Sequence, residues 1–104
     1  MKTLNDISFL LATGKIDLTA HALKRIVERN ISKNEIMEAA TGVIEIEDYP
    51  DDKYFPSCLL LGFTKAGRPL HLHVSRVEQE SIRLITIYEP NENDWDDGFR
   101  KRRK

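Results

Sequence analysis

The chain has 104 residues, 40% of them hydrophobic, with a formal net charge of −1 and a single cysteine. That is the length of one domain, with no apolar run able to span a bilayer, no internal disulfide and no cysteine-based zinc site. Lys and Arg are not spread over a whole face, which excludes a general DNA-coating protein. The N-terminal stretch has Asp6 in its apolar part and no small-residue cleavage site after it, so it does not read as a signal peptide, and the cytoplasm is the expected compartment.

Residues 4–13 predict a short amphipathic helix ended by Gly14, and Ile16-Asp17-Leu18 reads as a connector. Thr19 is suited to cap a helix over Ala20–Arg29, and Asn30 suits its left-handed end. Ser32 and Glu35 form a capping box for a third helix, stopped by Gly42. Strand patterning follows. Ile44 and Ile46 alternate with Glu45 and Glu47, and Tyr49–Pro56 is a loop rich in turn residues. Ser57–Ser75 reads as two strands joined by a turn with Gly67, and Ile82–Tyr88 is a β-branched strand ended by Pro90. Residues 1–42 are thus helical, 43–90 form the sheet, and 91–104 are a polar tail. Residues 89–99 carry five acids, Glu89 to Asp97, and the last five residues, Arg100 to Lys104, are all basic, with Trp95 and Phe99 four apart to staple the tail down. The expected fold is α+β, with N-terminal helices packed on one face of a four-stranded antiparallel meander.

Leu70, Leu72 and Val74 alternate with His71 and His73, which puts both imidazoles on the face away from the helices. Two-residue turns at Ala66-Gly67 and Gln79-Glu80 would pair Leu61 with Leu72, Leu59 with Val74 and Val74 with Ile85. On the reverse face they would pair His71 with both Gly62 and Tyr88, and His73 with Thr86. Gly62 would then leave space beside His71, with Arg68 at the adjoining turn. On the second helix, His21, Arg25 and Glu28 or Arg29 share one stripe. They form either a phosphate-binding row or a solvated surface with Glu28 paired to Lys24 or Arg25.

A family resemblance rests on several motifs: residues 19–31 (TAHALKRIVERNI), Tyr49-Pro50-Asp51, residues 56–62 (PSCLLLG), residues 67–71 (GRPLH), residues 85–90 (ITIYEP), Trp95 and the basic end. As a set these resemble a domain-of-unknown-function family of small bacterial and archaeal proteins, whose genes often sit beside a small protein with a YgiT/MqsA-type zinc finger. The resemblance covers Leu18 to Lys104. It implies the toxin of a type II toxin–antitoxin pair, similar to the RelE/MqsR-like ribonucleases, which cut RNA without a metal or other cofactor. It also implies a cognate antitoxin with a zinc finger or a helix-turn-helix as partner. The family's recurrent polar positions map onto His21, Arg25, Arg29, His71 and Tyr88. His73 departs from the pattern and is demoted.

Metal-free RNA cleavage needs a base, an acid and cations around the phosphorane. His71, Tyr88 and His21 are the candidates for acid–base work; Arg25, Arg29 and Arg68 are the candidates to hold phosphate. With helices on the leucine face, His21 can reach the site only around a sheet edge. Two other functions fit the pattern: a non-catalytic protein-binding module, and a metal-dependent hydrolase using His71 and His73, for which a third ligand such as His21 or Glu45 would be needed. Cys58 reads as an inert strand residue.

Overall fold

Local side-chain hydrogen bonds decide where the helices begin in the computed structural model, which describes residues 1–52, 56–77 and 79–103. Helix α1 (Leu4–Ala12) starts at a Thr3/Asp6 capping box, and α3 (Lys33–Ala40) at the expected Ser32/Glu35 box. Helix α2 (Ala20–Glu28) is capped by Thr19, whose hydroxyl accepts from the Ala22 amide at 3.0 Å. Gly14 (φ 77°) and Asn30 (φ 53°) turn the chain in the left-handed region after α1 and α2.

The sheet has five strands, not four. Ile16–Leu18, expected as a connector, is strand β1, which pairs parallel to β5 (Ile82–Tyr88) through Ile16–Ile82, Asp17–Arg83 and Leu18–Leu84. Three residues are too few to show a period of two, so only the pairing reveals the strand. With β2 (Ile44–Tyr49), β3 (Ser57–Phe63) and β4 (Pro69–Ser75), the order is β1-β5-β4-β3-β2. The result is an open mixed α+β sheet: β2 to β5 are an antiparallel meander, and β1 adds a parallel edge. The core is one cluster on one face. Ile7, Leu11, Ala22, Ile36, Ala39 and Ala40 from the helices meet Cys58, Leu60, Leu70, Leu72, Val74, Ile82, Leu84 and Ile87 from the sheet.

The β4–β5 pairing matches the sequence reading for His71–Tyr88 and His73–Thr86; a bulge then places Val74 opposite Leu84 instead of Ile85. The β3–β4 pairing does not match. Leu60 faces Leu72, Leu61 faces His71, and Gly62 faces Leu70. The turn is one residue longer than expected: the Thr64 amide donates to the Arg68 carbonyl at 3.0 Å, and Gly67 (φ 87°) closes the loop. A one-residue slip exchanges the two faces of a strand. Gly62 therefore lies under α3, not beside His71, and a Cβ there would sit 2.3 Å from the Ala39 carbonyl oxygen. The expected cleft at Gly62 is absent, because α3 occupies the space the missing side chain leaves.

Arg68, expected as a phosphate ligand, ties elements together. Its guanidinium donates to Glu89 at 2.6 Å, to Glu35 at 3.1 Å, and to the Arg29 and Asn30 carbonyls at 3.0 and 3.1 Å. It thereby joins the β3–β4 turn to the α2–α3 junction and the end of β5. Lysine keeps the charge but not the planar fork. Arg68→Lys is expected to cost about 2 kcal/mol in chemical denaturation, from lost charge-assisted hydrogen bonds.

Candidate active site

The face of the sheet turned away from the helices carries His71 and His73, alternating with the core leucines of β4 as the sequence requires. The tail crosses this face. Residues 94–96 pair with residues 101–103 through the Arg103 amide to the Asp94 carbonyl (2.8 Å) and the Asp96 amide to the Lys101 carbonyl (2.9 Å). Trp95, 3% exposed, packs edge-on against His71 with centroids 4.3 Å apart. His71 is 0% exposed.

The two ring nitrogens of His71 are both engaged. Nε2 lies 2.8 Å from the Phe99 carbonyl, which can only accept, so Nε2 carries the proton. Nδ1 lies 3.2 Å from the Tyr88 hydroxyl and, in the neutral ring, accepts its proton. Phe99 itself holds φ 59°, a left-handed conformation uncommon for a phenylalanine, and so delivers its carbonyl to the imidazole. Burial holds the His71 pKa below its ordinary range, against the opposing pull of the Phe99 carbonyl and the Glu47 charge. The structure thus brings His71 and Tyr88 together, with the ring neutral and closed off from solvent.

A groove of about 610 Å³ opens next to this pair. Its floor is a row across three strands, Thr86, His73 and Leu59, set side by side by the register. Tyr88, Arg102, Tyr49, Pro50, Asp51 and Asp52 line the rest of the groove. His73 Nε2 is 2.8 Å from Ser57 Oγ, and Ser57 Oγ is 2.9 Å from Asp52 Oδ2. The carboxylate can only accept, so Ser57 donates to it and His73 Nε2–H donates to Ser57. Ser57 is therefore not poised as a nucleophile toward His73. Burial lowers the His73 pKa, opposed by Asp52. Arg102 pairs with Glu47 at 3.0 Å and stacks over Trp95 at 4.7 Å, and Glu47 also accepts from the Tyr49 hydroxyl. Burial and that hydrogen bond push the Tyr49 phenol up to about 12.

The other nominated residues are dispersed. Arg25 pairs with Glu28 at 2.9 Å on the helix surface. Arg29 donates to the Ile87 carbonyl at 2.8 Å, at the stretch of β5 beyond β1, and its guanidinium lies 5.8 Å from the Tyr88 ring centroid. His21 is exposed on α2. Arg29 alone of the α2 stripe reaches Tyr88, around the sheet edge. His71 and His73 both spend Nε2 on their own chain, and among the described residues no group of three His, Cys, Asp or Glu is placed to hold a metal. Cys58 is buried in the core, its thiol pushed up to about 12 chiefly by burial. Sequence reasoning passed over Tyr49, Asp52, Ser57 and Arg102. Tyr49 ends β2, where the sequence reading began a loop; Asp52 and Arg102 lie in the loop and tail, outside the strands whose periodicity carried the reading; and Ser57 starts a strand whose faces were exchanged.

The model of a family described as a domain of unknown function, DUF4258, matches residues 18–89. No curated protein and no solved structure matches the chain.

Proposed function

The chain belongs to the DUF4258 family, and from that premise we propose that it is a metal-independent endoribonuclease, the toxin of a type II toxin–antitoxin pair on a RelE/MqsR-like scaffold. The observation that carries the reading is the groove, where His73 and Tyr88 lie on the sheet face away from the helices with Arg102 at its wall and Arg29 behind Tyr88. RNA cleavage without a metal needs a proton acceptor, a proton donor and fixed positive charge at the phosphorane. His73, half-buried with Nε2 engaged, offers Nδ1 as the acceptor. Tyr88 is the proton donor: at rest its hydroxyl points to His71 Nδ1, and in cleavage it turns to protonate the leaving 5′-oxygen while His73 takes the 2′-hydroxyl proton; Arg102 and Arg29 supply charge. His71 positions Tyr88 and does not touch RNA. A zinc-finger or helix-turn-helix antitoxin would silence the protein in the cytoplasm by covering this face.

A second reading, a non-catalytic binding module, is favoured by one observation: Arg25, Arg68 and Arg102 are each held by carboxylates of their own chain. Incubating purified protein with single-stranded RNA in excess EDTA separates the two. The ribonuclease reading expects cleavage to 2′,3′-cyclic phosphate ends, with Tyr88→Phe and His73→Ala each slower by about 10²–10⁴-fold. Intact RNA, together with unimpaired growth of cells expressing the wild type without its partner, would leave the binding module.

A further inference from the structure

The hydrogen-bond polarity of the groove follows from two groups that can only accept. The Phe99 carbonyl fixes the proton of His71 on Nε2, so Nδ1 accepts and the Tyr88 hydroxyl points its one proton inward. What Tyr88 offers the groove is therefore an oxygen lone pair. In parallel, the Asp52 carboxylate takes the Ser57 proton, so His73 Nε2–H is spent on Ser57 and the remaining ring nitrogen is a bare acceptor. The Asp52 carboxylate, whose Oδ2 keeps a second lone pair beside the Ser57 bond, is the third acceptor group lining the groove, and at rest none of the three turns a donor to it while the two networks hold.

The groove is lined by charges of both signs. Asp51 and Asp52 line the groove together with Arg102, whose side chain is 60% exposed and paired with Glu47, and Arg103 lies further along the tail beside Tyr88. The floor of Thr86, His73 and Leu59 spans three strands, about 10 Å between the outer two, which is wide enough for a flat bicyclic ring. Sheet faces with exposed rings are suited to stacking bases.

We propose that the groove is a subsite for a guanine nucleotide, with the base held by Asp52 and a phosphate by Arg102. Guanine is the base whose pairing edge presents adjacent N1–H and N2–H donors, which a single carboxylate accepts in bidentate fashion. Adenine and cytosine each offer one amino group beside an acceptor, and uracil offers one N–H between two carbonyls. An acceptor-lined rim rejects those carbonyls and ring acceptors, because they leave polar groups unpaired. RNA as the source of the guanine rests on the ribonuclease reading; the subsite itself does not.

The test is calorimetry of the full chain with 5′-GMP, AMP, CMP, UMP and IMP, which lacks the N2 amino group. GMP is expected to bind at least tenfold more tightly than each of the others, and Asp52→Asn to lose that preference by about 10–100-fold. Equal binding of the five nucleotides, or of GMP and IMP, overturns the proposal without reliance on any variant. So does arginine methyl ester binding in preference to GMP, since that assigns the acidic residues to a guanidinium from a protein. A single-stranded RNA with one guanine is the second arm. Tighter binding than GMP identifies RNA as the ligand, weaker binding identifies a free nucleotide, and both support a guanine subsite. Selective GMP binding without RNA cleavage keeps the subsite and defeats the ribonuclease reading. Cleavage with no guanine preference does the reverse.

Discussion

Replacing His71 with leucine is expected to destabilise the protein by about 3 kcal/mol, since it leaves the Phe99 carbonyl and the Tyr88 hydroxyl unpaired at about 1–3 kcal/mol each. His71→Gln is the informative companion. A glutamine amide can donate to Phe99 and accept from Tyr88, yet cannot titrate, and it is expected to lose only about 1 kcal/mol. The pH dependence carries a definite sign. Burial depresses the folded pKa of His71 below its ordinary value of 6.5, and His73 is depressed in the same direction. Between the folded and unfolded values the unfolded chain binds more protons, so the stability present above about pH 6.5 falls as the pH is lowered below it. Urea denaturation from pH 7.5 to 5 is expected to show this loss in the wild type and a shallower slope in His71→Gln. In RNA cleavage, His71→Gln is expected to keep its rate within about tenfold and its pH profile unchanged, since His71 fixes the direction of the Tyr88 proton without exchanging its own. A loss of about 10²-fold or more, the range expected for a missing acid–base group, would make His71 a proton carrier.

Gly62→Ala is expected to have the largest effect on stability of any single methyl addition among the glycines. The new Cβ would lie 2.3 Å from the Ala39 oxygen and 2.9 Å from the Ala39 carbonyl carbon. These are backbone atoms of α3, so relief requires the helix to lift from the sheet. A cost of about 3 kcal/mol or more, or failure to fold, is the expected outcome in thermal or urea denaturation. Gly42→Ala is the control, because nothing lies within 4 Å of its Cβ position. It is expected to be neutral or stabilising by about 0.5 kcal/mol through reduced freedom of the unfolded chain. Had the two-residue turn been right, Gly62 would face the groove and tolerate alanine, so the pair of variants also tests the register.

The parts of the fold legible in the sequence are those that one stretch of chain determines by itself. Thr19, Ser32 and Glu35 cap their helices because the interacting groups lie three residues apart. The β4–β5 pairs near His71 and Tyr88 follow from alternation in both strands. The β3–β4 register was not legible for two physical reasons. Cys58-Leu59-Leu60-Leu61 is apolar at every position, so hydrophobicity does not say which face is which, and Lys65-Ala66-Gly67-Arg68 fits a two- or a three-residue loop equally well. Strand β1 was hidden by its length. At the site, the neighbours His71 and Tyr88 were legible, and their setting was not. The group that fixes the His71 tautomer is a backbone carbonyl of Phe99, in a tail recognised only as a staple through its two aromatic residues. His73 was set aside for departing from a family pattern, although its face and its neighbour Thr86 were read correctly.

The function and the guanine subsite both depend on the direction of two proton networks, and ¹⁵N NMR of the histidine side chains in the wild type at pH 7 reads that direction without any variant. The expected spectrum shows His71 and His73 both neutral, each protonated on Nε2, with Nδ1 at the shift of an acceptor nitrogen. Protonation of either ring on Nδ1, or a His71 that titrates near 6.5 like an exposed imidazole, would contradict it. Tyr88 or His73 would then turn a donor toward the groove, and the acceptor-lined site described above would not exist.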